Sequence, residues 1–285
     1  MNKFKTMGVM NITPNSFSDG NKLKTLKNQK ETFEAFINQF DIVDIGAEST
    51  APFNDPIGAS EELTRLESFF LPILFNFPDQ ERIISIDTYR PEVFFEIALI
   101  IKKAWPKARL IFNDISGQGD EDLILLLKSD LQFIYVLSHN LAPNRALASN
   151  HMDYISELEG KDFVNSICEW FEERLETIMC LGREIIIDPC FGFSKTRQQN
   201  HDLLKHFSVF ANQFPKLPVL VGVSRKSFMR FPKDMDPKLQ QSQLHLDCLQ
   251  TLVAQNLLNN SRNELIFRTH NIAPFKALSD AAKIF

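Results

Sequence analysis

Eight times along this chain, an apolar, strand-like run ends in a polar cluster, with room for a helix before the next run. The runs are Thr6–Met10, Ile42–Ile45, Ile83–Ile86, Leu110–Phe112, Phe133–Leu137, Ile185–Ile187, Val219–Val223 and Leu265–Phe267. They lead, in order, into Asn11; Glu48, Ser49 and Thr50; Asp87 and Thr88; Asn113 and Asp114; Ser138 and His139; Asp188; Ser224, Arg225 and Lys226; and Arg268 and His270. Several runs are apolar throughout, as expected of parallel strands covered on both faces. Strands alternating with helices predict a parallel sheet. Eight such units predict a (β/α)8 barrel, in which the carboxyl ends of all the strands meet at one mouth. A doubly wound open sheet is the alternative, but it would not gather all eight clusters.

The segments between the runs read as helices. Over Lys161–Leu181, Phe163, Ile167, Trp170, Phe171, Leu175 and Ile178 recur at three- and four-residue steps, and Gly182 is the expected stop. Pro91 and Ser60 each mark a helix start. Leu239–Leu258 is read as a helix with Leu244, Cys248, Thr251 and Leu252 on one side, and Ala273–Ile284 as the last helix. Residues 11–24 and 46–58 form long mouth loops of the kind that usually serve function. Asn140–Gly160 is irregular and receives no role from the sequence.

The 285 residues suit one barrel of about 250 residues. No linker divides them, so residues 1–285 are read as a single domain. A net charge of −5 with interspersed signs gives no reason to expect nucleic-acid or membrane binding. The apolar stretches Phe69–Phe77 and Phe94–Ile101 fall short of the ~20 residues needed to span a bilayer. The amino terminus, MNKFKTMGVM, has no signal-peptide pattern, and a cytoplasmic location is expected. Cys168, Cys180, Cys190 and Cys248 form no CxxC pair and are expected to be reduced thiols in or near the core. His139, His201, His206 and His245 lack metal-ligand spacing and are expected to be structural or on the surface.

The strand ends carry the chemistry. Asp87, Asn113 and Asp188 can accept from, and in the case of Asn113 also donate to, the edge of a donor-rich heterocycle. Lys226, Arg268 and His270 bring donors or positive charge suited to a phosphate or pyrophosphate. Asn11 could offer an amide oxygen to Mg²⁺. The expected pocket has an acidic floor and a cationic rim.

The segments GVMNITPNSFSDG (Gly8–Gly20), DIGAEST (Asp44–Thr50), SIDTYRPEV (Ser85–Val93), FNDISG (Phe112–Gly117), IIDPCFGFSKT (Ile186–Thr196), VGVSRKSF (Val221–Phe228) and FRTHNI (Phe267–Ile272) resemble dihydropteroate synthase, in order and over nearly the whole chain. The resemblance implies a (β/α)8 barrel that joins 6-hydroxymethyl-7,8-dihydropterin diphosphate to p-aminobenzoate with loss of pyrophosphate. It implies that Asp87, Asn113, Asp188 and Lys226 hold the pterin, and that Asn11, Arg268 and His270 hold the diphosphate, with Mg²⁺ on Asn11. Thr50 would lie beside the phosphates, and Phe17, Pro52, Phe193, Lys226 and Ser227 would border the p-aminobenzoate slot. Asp87, Asp188, Lys226, Arg268 and His270 would carry catalysis. The resemblance allows a homodimer, for which the sequence carries no interface signature.

Five positions depart from the family pattern. Asn15 stands for the acid of the first loop, and Ala51 for the arginine of the second. Cys190 and Ser194 stand for glycines, and Asn271 for the Asp after the final His. Two other readings follow. A corrinoid-type methyl-transfer domain shares the barrel and pterin pattern but has no need of the first-loop motif or of Arg268 with His270. A non-catalytic pterin- or folate-binding paralogue draws support from the loop substitutions.

Overall fold

The computed structural model describes residues 4–12, 26–48, 56–74, 76–79, 81–229 and 242–284. Eight parallel strands close into a barrel in sequence order. They are β1 (Phe4–Asn11), β2 (Ile42–Gly46), β3 (Ile83–Asp87), β4 (Arg109–Asp114), β5 (Ile134–Ser138), β6 (Glu184–Asp188), β7 (Val219–Val221) and β8 (Leu265–Thr269). Closure is made by β1, which pairs with β2 through Met7 opposite Ile42 and with β8 through Met7 opposite Arg268. The (β/α)8 expectation holds.

Two apolar layers build the molecule. Outside the strands, a continuous core joins residues such as Ile45, Ile84, Phe112, Leu137, Ile187 and Phe267 to the surrounding helices. Inside, Met7, Ile42, Ile111, Val136, Ile186, Leu220 and Ile266 form a plug. Successive side chains of a strand alternate between faces. The residue two positions beyond each plug residue therefore also points into the barrel, one layer nearer the carboxyl ends. Ile42 leads to Asp44, Ile111 to Asn113, Ile186 to Asp188 and Ile266 to Arg268. Each buried Ile or Leu contributes roughly 1.5–3 kcal/mol, so the layer that stabilises the barrel also supports the polar layer above it.

Helices follow the strands: α1 (Leu26–Gln39), α2 (Ala59–Leu74), α3 (Pro91–Ala104), α4 (Glu121–Lys128), α5 (Gly160–Met179), α6 (Arg197–Lys205), α7 (Phe207–Gln213), α8 (Gln243–Asn259) and α9 (Ala273–Ile284). Helix α3 begins on Pro91, where the missing N–H costs nothing. Helix α5 buries Phe163, Ile167, Phe171, Leu175 and Ile178, and Gly182 turns the chain at φ 71° just beyond it. A capping box opens α6: Thr196 accepts from the Gln199 N–H, and Gln199 accepts from the Thr196 N–H.

Two expectations need correction. In α8 the buried residues are Gln250, Ala254 and Leu257, whereas Leu244 and Leu252 are exposed, at 73% and 66%. The Gln250 amide faces inward because it donates to the Thr269 hydroxyl (2.9 Å). Among the cysteines, Cys168 and Cys190 are buried, but Cys180 and Cys248 are exposed; all four are free.

Among the described residues, no helix is long and apolar enough to cross a membrane. The amino-terminal end of the barrel holds a cavity of about 360 Å³, rimmed by the ion pairs Lys5–Glu264 (2.8 Å) and Arg109–Glu184 (3.0 Å). The polar layer lies at the other end.

Candidate active site

The strand ends bring the expected groups to one mouth. In register, Gly46 lies opposite Asp87, Asp87 opposite Asn113, and Ser138 opposite Asp188. Arg268 links these strands across the barrel. Its Nε donates to Asp44 Oδ2 (2.6 Å) and its Nη2 to Asp87 Oδ2. Asn113 donates its amide to the other Asp44 oxygen (3.2 Å). β2, β3, β4 and β8 thus share one network. Two of the five guanidinium donors are spent on it, which leaves three without a partner among the described residues.

Asp188 is 8% exposed and accepts from the Cys190 N–H (2.7 Å), which folds the following loop back over the strand end. Burial pushes the Asp188 carboxyl up, opposed by that N–H and then by Lys226 and Arg268. Burial likewise pushes Asp87 up to about 7, with Arg268 pulling the other way. Lys226, just past β7, is pushed down by burial and then by Arg268, while Asp188 and Asp87 oppose the shift. Two carboxylates and two cations therefore sit within electrostatic reach of one another in a poorly hydrated space. Groups so perturbed in a cleft mark a functional site.

His270 follows β8, with its Nδ1 3.2 Å from the Ser224 hydroxyl. Burial, then Arg225 and Arg268, lower it to about 4, so it is a neutral hydrogen-bonding imidazole in this state rather than a cation. Phe193 is half-buried on the loop after β6, and the Lys226 ammonium lies 4.5 Å from its ring centroid. Gly192 has φ 86°, and a Cβ there would press within 3.1 Å of the Lys226 side chain. Ser227 opens a short 3₁₀ turn (Ser227–Met229) and is exposed. Asn11 is exposed at the end of β1, opposite Gly46 in register. Thr50, with Asn15, Phe17, Ala51 and Pro52, lies outside the described residues.

Comparison with known proteins identifies the family. The pterin binding enzyme family matches residues 7–257. A dihydropteroate synthase of Synechocystis is 34% identical over 245 residues, covering 81% of this chain and 75% of that protein. This chain belongs to the dihydropteroate synthase family. The mitochondrial folate synthesis bifunctional protein of Pisum sativum is 31% identical over 78% of the chain, which spans only 43% of that longer protein. Among solved structures, the dihydropteroate synthase of Anaplasma phagocytophilum with bound 6-hydroxymethylpterin-monophosphate aligns with a TM-score of 0.70 at 25% identity, covering 99% of both chains. That of Xanthomonas albilineans with 4-aminobenzoic acid aligns with a TM-score of 0.73 at 24% identity, covering 99% of this chain and 93% of that one, and supports the fold.

Two departures from the dihydropteroate synthase pattern now have a structural meaning. Cys190 and Ser194, where the family has glycine, adopt φ 52° and φ 49°. The backbone keeps the left-handed turns that glycine makes easily, at a cost of roughly 1–2 kcal/mol for each non-glycine residue.

The strand-end reading missed two polar groups, Asp44 and Lys195. Asp44 is fully buried and central to the network, but it lies inside an apolar run rather than after it. The signal was available: an acid within Ile42–Gly46 must find a partner or remain costly. Lys195 and His139 are both 2% exposed, with Lys195 Nζ 2.9 Å from His139 Nδ1 and donating to the Phe193 carbonyl (3.0 Å). An ammonium can only donate, so Nδ1 accepts. Burial, and then the Lys195 charge, hold His139 well below its usual range, and burial lowers Lys195 to about 8.

Proposed function

We propose that this protein is a dihydropteroate synthase, joining 6-hydroxymethyl-7,8-dihydropterin diphosphate to p-aminobenzoate and releasing pyrophosphate. The observation that carries the reading is the assembly of Asp44, Asp87, Asn113 and Arg268 into one hydrogen-bonded network at the carboxyl mouth of a pterin-family barrel.

The reaction is a substitution at the methylene carbon beside the pterin ring. The bond from that carbon to the diphosphate oxygen breaks, a bond to the aryl amine nitrogen forms, and that nitrogen gives up a proton, which the released pyrophosphate or solvent can take. The ring can delocalise positive charge as the leaving group departs, so an SN1-like path suits the chemistry, and no protein nucleophile is needed. Asp188 and Asn113 offer acceptors, and Asn113 a donor, to the amidine-like edge of the ring. Asp87 and Asp188 favour the developing cation electrostatically. Arg268, held by Asp44 and Asp87, has donors left for the diphosphate. His270 enters neutral and donates a hydrogen bond; an arriving anion favours its protonation. Lys226 faces both the ring pocket and Phe193, beside which the aryl amine would lie, and Ser227 adjoins that slot. In this reading the segments after β1 and β2, with Thr50, most of which lie outside the described residues, would exclude water from the cation.

Mg²⁺ belongs to this reading. Among the described residues, no group of three or more His, Cys, Asp or Glu forms a cage for a metal. A single exposed amide, Asn11, fits an ion that keeps several waters and takes the rest of its shell from phosphate oxygens. Bound there, Mg²⁺ would supply charge stabilisation to the departing diphosphate. Four free cysteines suit a reducing compartment, consistent with a cytoplasmic enzyme. A homodimer is part of the same reading, and sedimentation would test it.

The deciding assay mixes purified protein, Mg²⁺ and each substrate alone or together. Pyrophosphate should appear only when both are present. Pterin binding without product at high enzyme concentration would instead make the protein a non-catalytic pterin-binding relative.

A further inference from the structure

Asn140–Gly160, the irregular stretch after β5, is fastened to the site at both ends. Its middle is a 3₁₀ segment, Arg145–Asp153. At one end Arg145 donates to the Tyr89 carbonyl (2.6 Å), to Asp114 (2.9 Å) and to both oxygens of Asp120 (2.6 and 3.0 Å), tying the segment to the ends of β3 and β4. At the other end lies His151, 2% exposed, with its ring stacked on Phe193 at 3.8 Å between centroids and 22° between planes. The Ser194 N–H donates to His151 Nδ1 (3.4 Å), and the Ser194 hydroxyl donates to the His151 carbonyl (3.0 Å) and accepts from the Leu141 N–H (3.1 Å). A glycine at 194 could not make the hydroxyl bonds. The departure from the family pattern thus couples this segment to the loop that carries Phe193.

We propose that His151 is a positioning residue for the aryl-amine subsite, holding the Phe193 ring by stacking so that the ring meets the Lys226 ammonium and the incoming p-aminobenzoate. The proposal rests on the synthase reading above. The imidazole stacks on Phe193 at 3.8 Å, and the Lys226 ammonium also lies over that ring, 4.5 Å from its centroid. Without His151, the half-buried ring gains freedom that each binding event must remove. The contact orders the second substrate's wall and touches neither Asp188 nor Arg268. Its loss should act on one Michaelis constant and spare the other.

The test compares wild type, His151→Leu and His151→Phe by steady-state kinetics with each substrate varied in turn. Leucine fills the space but cannot stack; phenylalanine stacks but cannot accept from Ser194. His151→Leu should raise KM for p-aminobenzoate about fivefold, the scale of one aromatic pair. KM for the pterin diphosphate and kcat should stay within about twofold, and His151→Phe should restore most of the loss. An unmoved KM for p-aminobenzoate in His151→Leu, equal rises for both substrates, or equal impairment of the two variants would overturn the proposal while leaving the synthase reading intact. A wild type that makes no dihydropteroate would overturn both.

Discussion

Arg268, on the last strand, donates its Nε to Asp44, on the second, at 2.6 Å across 224 residues of sequence. The bond fixes the guanidinium between two carboxylates, since Nη2 reaches Asp87. Asp44 is fully buried and also accepts from Asn113, so it orients two of the groups assigned to substrate. Asp44→Asn should therefore weaken catalysis without touching substrate. Turnover should fall on the order of 100-fold, with stability lowered by about 3 kcal/mol, as expected when one partner of a buried pair is lost. Kinetics and urea denaturation on the same preparation check both. Wild-type turnover in Asp44→Asn would remove the network from the mechanism.

Asp188 is the anchor assigned to the ring. Asp188→Ala should lower affinity for a pterin diphosphate by at least about 100-fold, since a buried charged acceptor is lost. Isothermal calorimetry measures this without turnover. Equal affinity for variant and wild type would end the pocket assignment.

Arg225 is exposed and sits at φ 60°, where a side chain is strained. Arg225→Gly should raise stability by about 1 kcal/mol, a gain of roughly 2–4 °C in Tm for a chain of this size. Arg225 is also one of the charges that hold His270 low, so the His270 pKa should rise from about 4. Scanning calorimetry and an NMR titration report the two effects separately. A lowered Tm would refute the strain argument.

Burial lowers His151 to about 4, with Lys226 and Lys195 adding to the shift. In the unfolded chain a histidine titrates near 6.5. Between those values the unfolded state binds a proton that the folded state refuses. Stability is therefore complete above about pH 7 and is lost as pH falls from about 6.5 toward 4, by up to ~1.4 kcal/mol per pH unit. Comparing wild type with His151→Phe isolates this contribution from the buried carboxylates Asp87, Asp114 and Asp188, whose raised pKa values act in the opposite direction. Between pH 7 and pH 5 the wild type should lose about 2 kcal/mol more than the variant in urea denaturation. Parallel pH curves would show that His151 does not titrate this way.

The barrel was legible because continuous apolar runs over Ile42–Ile45, Ile83–Ile86 and Ile185–Ile187 leave few other folds open, and the three strands observed there extend only one or two residues beyond these runs. The substrate groups were legible where they followed a run, as Asp87 and Asp188 do. Asp44 was not, because a rule about the residues after a run overlooks an inward-facing acid inside the run. The face of α8 was misread because its leucines lie on several sides, and the buried position went to Gln250, chosen by a hydrogen bond to Thr269 that no periodicity encodes. His151 gave no local signal, since its partner Phe193 lies 42 positions away and the pairing exists only once β5 and β6 are neighbours.

During synthesis, Asp44 and Asp87 leave the ribosome long before Arg268. Until the eighth strand docks, these two carboxylates repel each other without the guanidinium that bridges them. Sealing the cylinder and cancelling that repulsion are a single event, which makes the incomplete ring self-opposed and the finished one self-locking.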